Sequence, residues 1–199
     1  FSVTALNSGM AAISNIMLAL TAQGKNVVSS THMFGNTFDL LNRSLRKFGV
    51  GLHTTDLTDM EKVKQAVDDN TCCIFVEIIT NPQMEVADLA ALASVAHEHH
   101  IPLVADTTTI PFTMFSAKKL GVDIEVVSST KYISGGATSL GGLIIDYGTD
   151  YTQGFTSTIK SELLFNFGAY MTPQVAFMQT MGLETLDARY RVQSANALE

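Results

Sequence analysis

The feature that most restricts the fold of this chain is a series of short, nearly continuous apolar runs, each closed by a polar cluster. TCCIFVEI, IPLVA, DIEVV and GGLIID read as strands, with Asn26–Ser30 and GLHTTD as two more. A strand with one wet face alternates apolar and polar residues, whereas a strand apolar along its whole length has to be covered on both faces. The segments between them carry helical spacing. Ile13, Ile16, Met17 and Leu20 mark one helix stopped by Gly24, and Phe38, Leu41, Leu45 and Phe48 mark another ending at Gly49. Thr58 and Glu61 fit a capping box at the head of LTDMEKVKQAV, and Asp88 can cap DLAALASVAHEHH. A short helix around MFSAKKLG is expected before DIEVV, and everything from Ser161 onward reads as helical, with Val175, Phe177, Met178 and Met181 as its apolar positions. This alternation predicts an α/β fold, three layers (α/β/α) around a mostly parallel sheet. No repeat or linker divides residues 1–199, which read as one domain.

Composition narrows the partners. A formal net charge of −7 and a pI near 5.1 argue against nucleic acid or an anionic membrane surface, both of which favour clustered Lys and Arg. No apolar run is long enough to span a bilayer and no secretory signal opens the chain, so a cytoplasmic location is expected. Cys72 and Cys73 are adjacent in a strand and point to opposite faces, which suits free thiols rather than a bridge.

In sheets of this kind ligands sit at the carboxyl ends of the strands. Those ends carry Asn81 after TCCIFVEI, Asp106 after IPLVA, and Ser128, Thr130 and Lys131 after DIEVV. Ser8-Gly9-Met10 stands where the first helix begins, a place where free amides favour an anion. The dinucleotide pattern G-x-G-x-x-G and the P-loop are both absent, and the glycines of SGGATSLGG have the wrong spacing and precede a strand. Pyridoxal 5′-phosphate (PLP) asks for a phosphate cradle, a carboxylate for its ring nitrogen, a flat stacking group and a lysine. The chain offers each, but spacing alone leaves an ordinary loop lysine equally open.

Particular motifs add to this reading. SGMAAI at 8–13, FGNTF at 34–38, E-x-x-x-NP from Glu77 to Pro82, VADTT at 104–108, SSTKYISGG at 128–136 and GLETLDAR at 182–189 follow one another through nearly the whole chain. Together they resemble the Cys/Met-metabolism family of fold-type I PLP enzymes, and SSTKYISGGATSLGGLIIDYG is most similar to its O-acetylhomoserine sulfhydrylases. The resemblance implies that Lys131 is the Schiff-base lysine and proton shuttle, and that Asp106 pairs with the pyridinium nitrogen. It further implies that Ser128, Thr130 and the Ser8-Gly9-Met10 turn hold the phosphate, with Thr108 also in the cofactor shell. Asn81 would meet the phenolic oxygen, Phe34 would stack on the ring, and Glu77 would be a structural partner rather than a catalyst.

The chain also departs from the family. Phe34 stands where a tyrosine is common, Thr107 replaces the asparagine of D-N-T, and Ala137 replaces a histidine after the glycine pair. The first argues against tyrosine-assisted elimination, and the other two point away from the methionine γ-lyase branch. His97, His99 and His100 end a helix, where positive charge suits the dipole and solvent better than a metal.

The resemblance further implies an N-terminal arm and a C-terminal domain outside residues 1–199, which would make this segment the PLP-binding large domain of a longer, homotetrameric enzyme built as a dimer of dimers. The implied reaction is γ-replacement on O-acetylhomoserine with sulfide or a thiol. Cystathionine γ-synthase or γ-lyase chemistry, and a non-catalytic PLP-domain fragment, are the alternatives.

Overall fold

The computed structural model of the chain describes residues 1–199. One seven-stranded sheet runs through the molecule in the order β1 (Ser2–Leu6), β7 (Gly142–Asp146), β6 (Ile124–Val127), β5 (Leu103–Asp106), β4 (Thr71–Glu77), β2 (Asn26–Ser30), β3 (Gly51–Thr55). From β6 across to β3 every pairing is parallel, while β7 runs antiparallel to both β6 and β1. The α/β three-layer expectation holds. β1 is an addition: its SVTAL alternates and is too short to be conspicuous, and it forms because β7 offers a free edge.

The two faces bury separate cores. Helix α1 (Gly9–Leu20), the helical stretch 35–48 that begins as α2 (Gly35–Asp39), and the segment 155–167, with α5 (Phe155–Thr158) and α6 (Leu164–Phe167), lie on one face. They pack on Val27, Cys73, Phe75, Val104, Ile124, Val126 and Ile144. Helices α3 (Met60–Ala66) and α4 (Leu89–Glu98) cover the other face over Val28, Ile74, Val76, Leu103 and Ala105. Cys73 is fully buried in the first core and Cys72 part-buried on the opposite side; both are free thiols. Helices α7 (Pro173–Glu184) and α8 (Leu186–Asn196) complete the chain.

Several local expectations are corrected. The cap of α3 is Asp59, whose carboxylate accepts the Lys62 amide at 3.3 Å, while Thr58 donates its hydroxyl to Asp56 at 2.6 Å. Two carboxylates flank Thr58, and Asp59 is the one in reach of a first-turn amide. Around MFSAKKLG only a 3-10 turn at Ala117–Leu120 forms, ended by Gly121 with φ +85°. In the stretch 35–48, Leu41 and Leu45 are buried but Phe38 and Phe48 are exposed. In the last third a 3-10 turn at Asp150–Thr152 precedes α-helix that starts at Phe155, not Ser161, and breaks at 168–172, where Tyr170 bridges back to Leu6. On α7 the apolar residues Phe177, Met178 and Met181 face outward, and the buried positions are Gln179 and Gly182. His97 is only partly exposed: Nε2 lies 2.9 Å from the buried Asp123 carboxylate and the ring stacks on Tyr151. No helix is long and apolar enough to cross a membrane.

Candidate functional site

The parallel strands β4, β5 and β6 end together, and their polar termini open into one cleft of about 280 Å³ under the N-terminus of α1. Its wall contains Ser8, Gly9, Met10, Phe34, Asn81, Asp106, Thr108, Ser128, Thr130 and Lys131, so every sequence-predicted site residue reaches the same cavity. Ile13, Asn36, Glu77, Ile79, Thr109 and Leu140 complete the lining.

The sheet register explains why these groups meet. Glu77, Asp106 and Val126 are lateral neighbours on adjacent parallel strands. Strand residues two apart share a face, so Asp106 lies on the α1 side with Val104. Burial pushes the Asp106 carboxyl above the usual carboxylate range; the hydroxyl and amide of Thr108 oppose this, and the charge of Glu125 adds to it. No cation of the chain pairs with it, since no ion pair includes Asp106. A part-buried carboxylate with no cation beside it is costly, and one that faces a cleft suits a cationic ligand group.

Opposite it stands an anion cradle. Ser8 is the N-cap of α1: its hydroxyl accepts the Ala11 amide at 3.1 Å, and its carbonyl accepts Ala12 at 3.1 Å. Gly9 and Met10 are left as first-turn amides without an intrahelical acceptor. Ser128 closes against this turn so tightly that a Cβ on Gly9 would lie 2.7 Å from the Ser128 Cβ.

The loop carrying the lysine is tied to its neighbours. The Ser128 amide donates to Thr108 Oγ1 at 2.8 Å, tying the loop to the hydroxyl that also supports the Asp106 carboxylate. Thr130 Oγ1 accepts the Gly141 amide at 3.0 Å and donates to the Gly141 carbonyl at 3.2 Å. Its proton has to leave that carbonyl before it can serve an anion in the cleft. Lys131 is exposed at the cleft mouth, its amide bonded to the Ser128 carbonyl at 3.1 Å.

Two lining residues escaped the sequence reading although a signal was present. Thr109 extends the threonine run after Asp106, and its hydroxyl is buried without a partner. Asn36 lies two positions beyond Phe34 in the first turn of α2, so it shares the cleft wall.

Fold and cleft together define a fold-type I PLP-dependent enzyme domain. Residues 2–199 match the family described as Cys/Met metabolism PLP-dependent enzyme, and the chain belongs to that family. It is 30% identical, over 224 aligned positions, to the homocysteine/cysteine synthase of Saccharomyces cerevisiae, covering 98% of this chain and 50% of that protein. The O-acetylhomoserine sulfhydrylase of Wolinella succinogenes superposes with a TM-score of 0.85 at 42% identity, over 94% of this chain and 57% of the other. A putative O-acetylhomoserine (thiol)-lyase of Campylobacter jejuni superposes with a TM-score of 0.88 at 29% identity, over 94% and 53%; it carries N′-pyridoxyl-lysine-5′-monophosphate. The chain spans about half the length of the curated relatives it matches. The residues present suit the family's cofactor: the uncompensated Asp106 carboxyl, the free first-turn amides of α1 and an amine share one cavity.

Proposed function

We propose that this cleft binds PLP and that the enzyme exchanges the γ-substituent of O-acetylhomoserine for sulfide or a thiol, giving homocysteine or methionine. The observation that carries the reading is the meeting of a part-buried Asp106 carboxyl that no cation matches with Lys131 and the α1 amides in a single cavity. Asp106 takes the ring nitrogen, which keeps that nitrogen protonated. Gly9, Met10, Ser8, Ser128 and Thr130 hold the phosphate through amides and hydroxyls, Thr108 supports Asp106 in the cofactor shell, Asn81 meets the phenolic oxygen, and Phe34 covers the ring face. PLP, when bound, supplies an electron sink that makes the Cα and Cβ protons of an amino acid removable.

Lys131 would hold the cofactor through its amine, and its Nζ, when free, would be the base that takes the Cα proton of a substrate. The same amine carries a proton between Cα and Cβ, so a single mobile side chain serves both positions. Acetate departs from Cγ, and the incoming sulfur nucleophile adds at that carbon. Phe34 has no hydroxyl to donate to a leaving group. This favours an acyl ester, whose carboxylate leaves without a proton, over cystathionine, whose thiolate needs one. An assembly of several copies, as in a dimer of dimers, is part of the same reading.

The test is spectroscopic and chemical. PLP added to the chain should produce a visible absorption band, and borohydride reduction followed by peptide mapping should place the label on Lys131. Lys131→Ala should lose the band and at least a thousandfold in turnover, the scale expected when a group acting as a proton carrier is removed. Label on another lysine defeats the site assignment, and no band at all defeats cofactor binding by this chain. Products from O-acetylhomoserine, O-succinylhomoserine and cystathionine then separate sulfhydrylation from transsulfuration.

A further inference from the structure

Glu77 makes contacts that its place in the cleft wall does not by itself require. It is the last residue of β4, 7% exposed, and its two carboxylate oxygens go to two different loops. Oε1 accepts the Phe34 amide at 2.7 Å and Oε2 accepts the Asn81 amide at 3.2 Å. Phe34 belongs to the loop after β2, and Asn81 to the turn after β4. These loops have no other buried tie. A second link, His32 Nδ1 to the Glu85 carboxylate at 3.0 Å, joins the same two loops at the surface, with both side chains about two-fifths exposed. Exposed pairs of this kind contribute little, whereas hydrogen bonds to a buried carboxylate are charge-assisted and stronger. Glu77 therefore dominates the link.

The geometry points to Glu77 as a positioning residue that fixes the spacing of Phe34 and Asn81 across the cleft. In the proposed PLP site, on which this role rests, those residues are the ring-stacking group and the donor to the phenolic oxygen. A carboxylate is the side chain that does this, since it accepts on both oxygens. Glutamine has one carbonyl and must turn its NH₂ toward the second amide, which releases one of the loops. Aspartate is a methylene shorter and cannot reach both amides from the end of β4. Burial pushes the Glu77 carboxyl up, as the nearby Asp106 does also, while the Phe34 and Asn81 amides pull the other way. Both amides thus favour the ionised form that accepts twice.

The test compares the parent, Glu77→Gln and Glu77→Asp. Hydrogen exchange without PLP reads the link directly. In both variants the amide of Phe34 or Asn81 should exchange at least tenfold faster, with the β4 amides of Ile74 to Val76 unchanged. PLP titration should then show about tenfold weaker binding, the loss of roughly one charge-assisted hydrogen bond. Glu77→Gln combined with Phe34→Leu should lose less than the sum of the two, while Glu77→Gln with Thr130→Ala should be additive, because Thr130 lies on the phosphate side. General loss of exchange protection in the variants, or unchanged exchange at Phe34 and Asn81, overturns the positioning role. If the parent takes no borohydride-trapped label at Lys131, the cofactor reading fails and the role in the site falls with it. Label at Lys131 with unchanged PLP affinity in Glu77→Gln overturns the inference alone.

Discussion

Phe34 is the residue on which the proposed chemistry turns most sharply. It is 41% exposed at the cleft wall, its backbone is fixed by Glu77, and its ring is free to lie flat against a cofactor. What it lacks is a proton to give. Phe34→Tyr keeps the ring and adds a hydroxyl, so it isolates that one difference. The expected outcome is a gain of about a hundredfold in cystathionine cleavage, the scale of a general acid, with no loss on O-acetylhomoserine. Rates on both substrates that are the same in the parent and in the Phe34→Tyr variant would mean that leaving-group assistance does not depend on this position. The other cleft residues read from sequence were recognisable because each polar residue ends an apolar strand or opens a helix. Thr109 and Asn36 carried weaker signals, a threonine run after Asp106 and the first turn of α2, and only the folded loops bring them to the cavity.

At the scale of elements, the site depends on how closely α1 meets the loop after β6. Gly9 is the point of contact, its would-be Cβ 2.7 Å and 2.8 Å from Ser128 Cβ and Oγ. Alanine at a helix position is favoured over glycine by about 1 kcal/mol, while overpacking costs about 1–3 kcal/mol. The first offsets only part of the second, because Ser128 Cβ and Cα both have to shift, so Gly9→Ala is expected to fold with a net loss of about 1–2 kcal/mol. Function has no such compensation: Ser128 must move away from the first-turn amides of α1, and PLP affinity should fall at least tenfold. Parent-like PLP titration in a folded Gly9→Ala protein would show that Ser128 and the α1 amides do not act on one group. The same closeness accounts for which elements were legible. The parallel strands and α4 announce themselves by apolar runs and an Asp88 cap that accepts the Ala91 amide at 3.0 Å. β1 was hidden because its identity as a strand comes from its partner β7, a contact about 140 residues away in the chain. The cap of α3 was misplaced by a single residue, since Thr58 and Asp59 both have capping chemistry and only geometry chooses between them.

For the molecule as a whole, the sheet carries two apolar cores and, at its centre, a carboxylate the chain does not neutralise. The position of Asp106 was predictable from the end of IPLVA, but its cost was not, because burial is a property of the assembled layers. That cost has a definite sign. Asp106 titrates above its unfolded value, so its ionisation destabilises the fold. The penalty is absent below about pH 4, where the unfolded group is already protonated, and reaches full size once pH passes the raised folded value. Asp106→Asn keeps an oxygen for the Thr108 amide, which Asp106 accepts at 3.0 Å, and removes the charge. In thermal unfolding without cofactor, Asp106→Asn should match the parent near pH 3.5 and exceed it by a few degrees at pH 7, the gap opening as pH rises. PLP should reverse the order, because a protonated ring nitrogen neutralises the carboxylate in the parent and finds only an amide in the variant, which should also lose most of its turnover. A gap that stays constant with pH would mean that Asp106 is not the group bearing the charge. A variant stabilised by PLP as strongly as the parent would mean that Asp106 does not face the ring nitrogen.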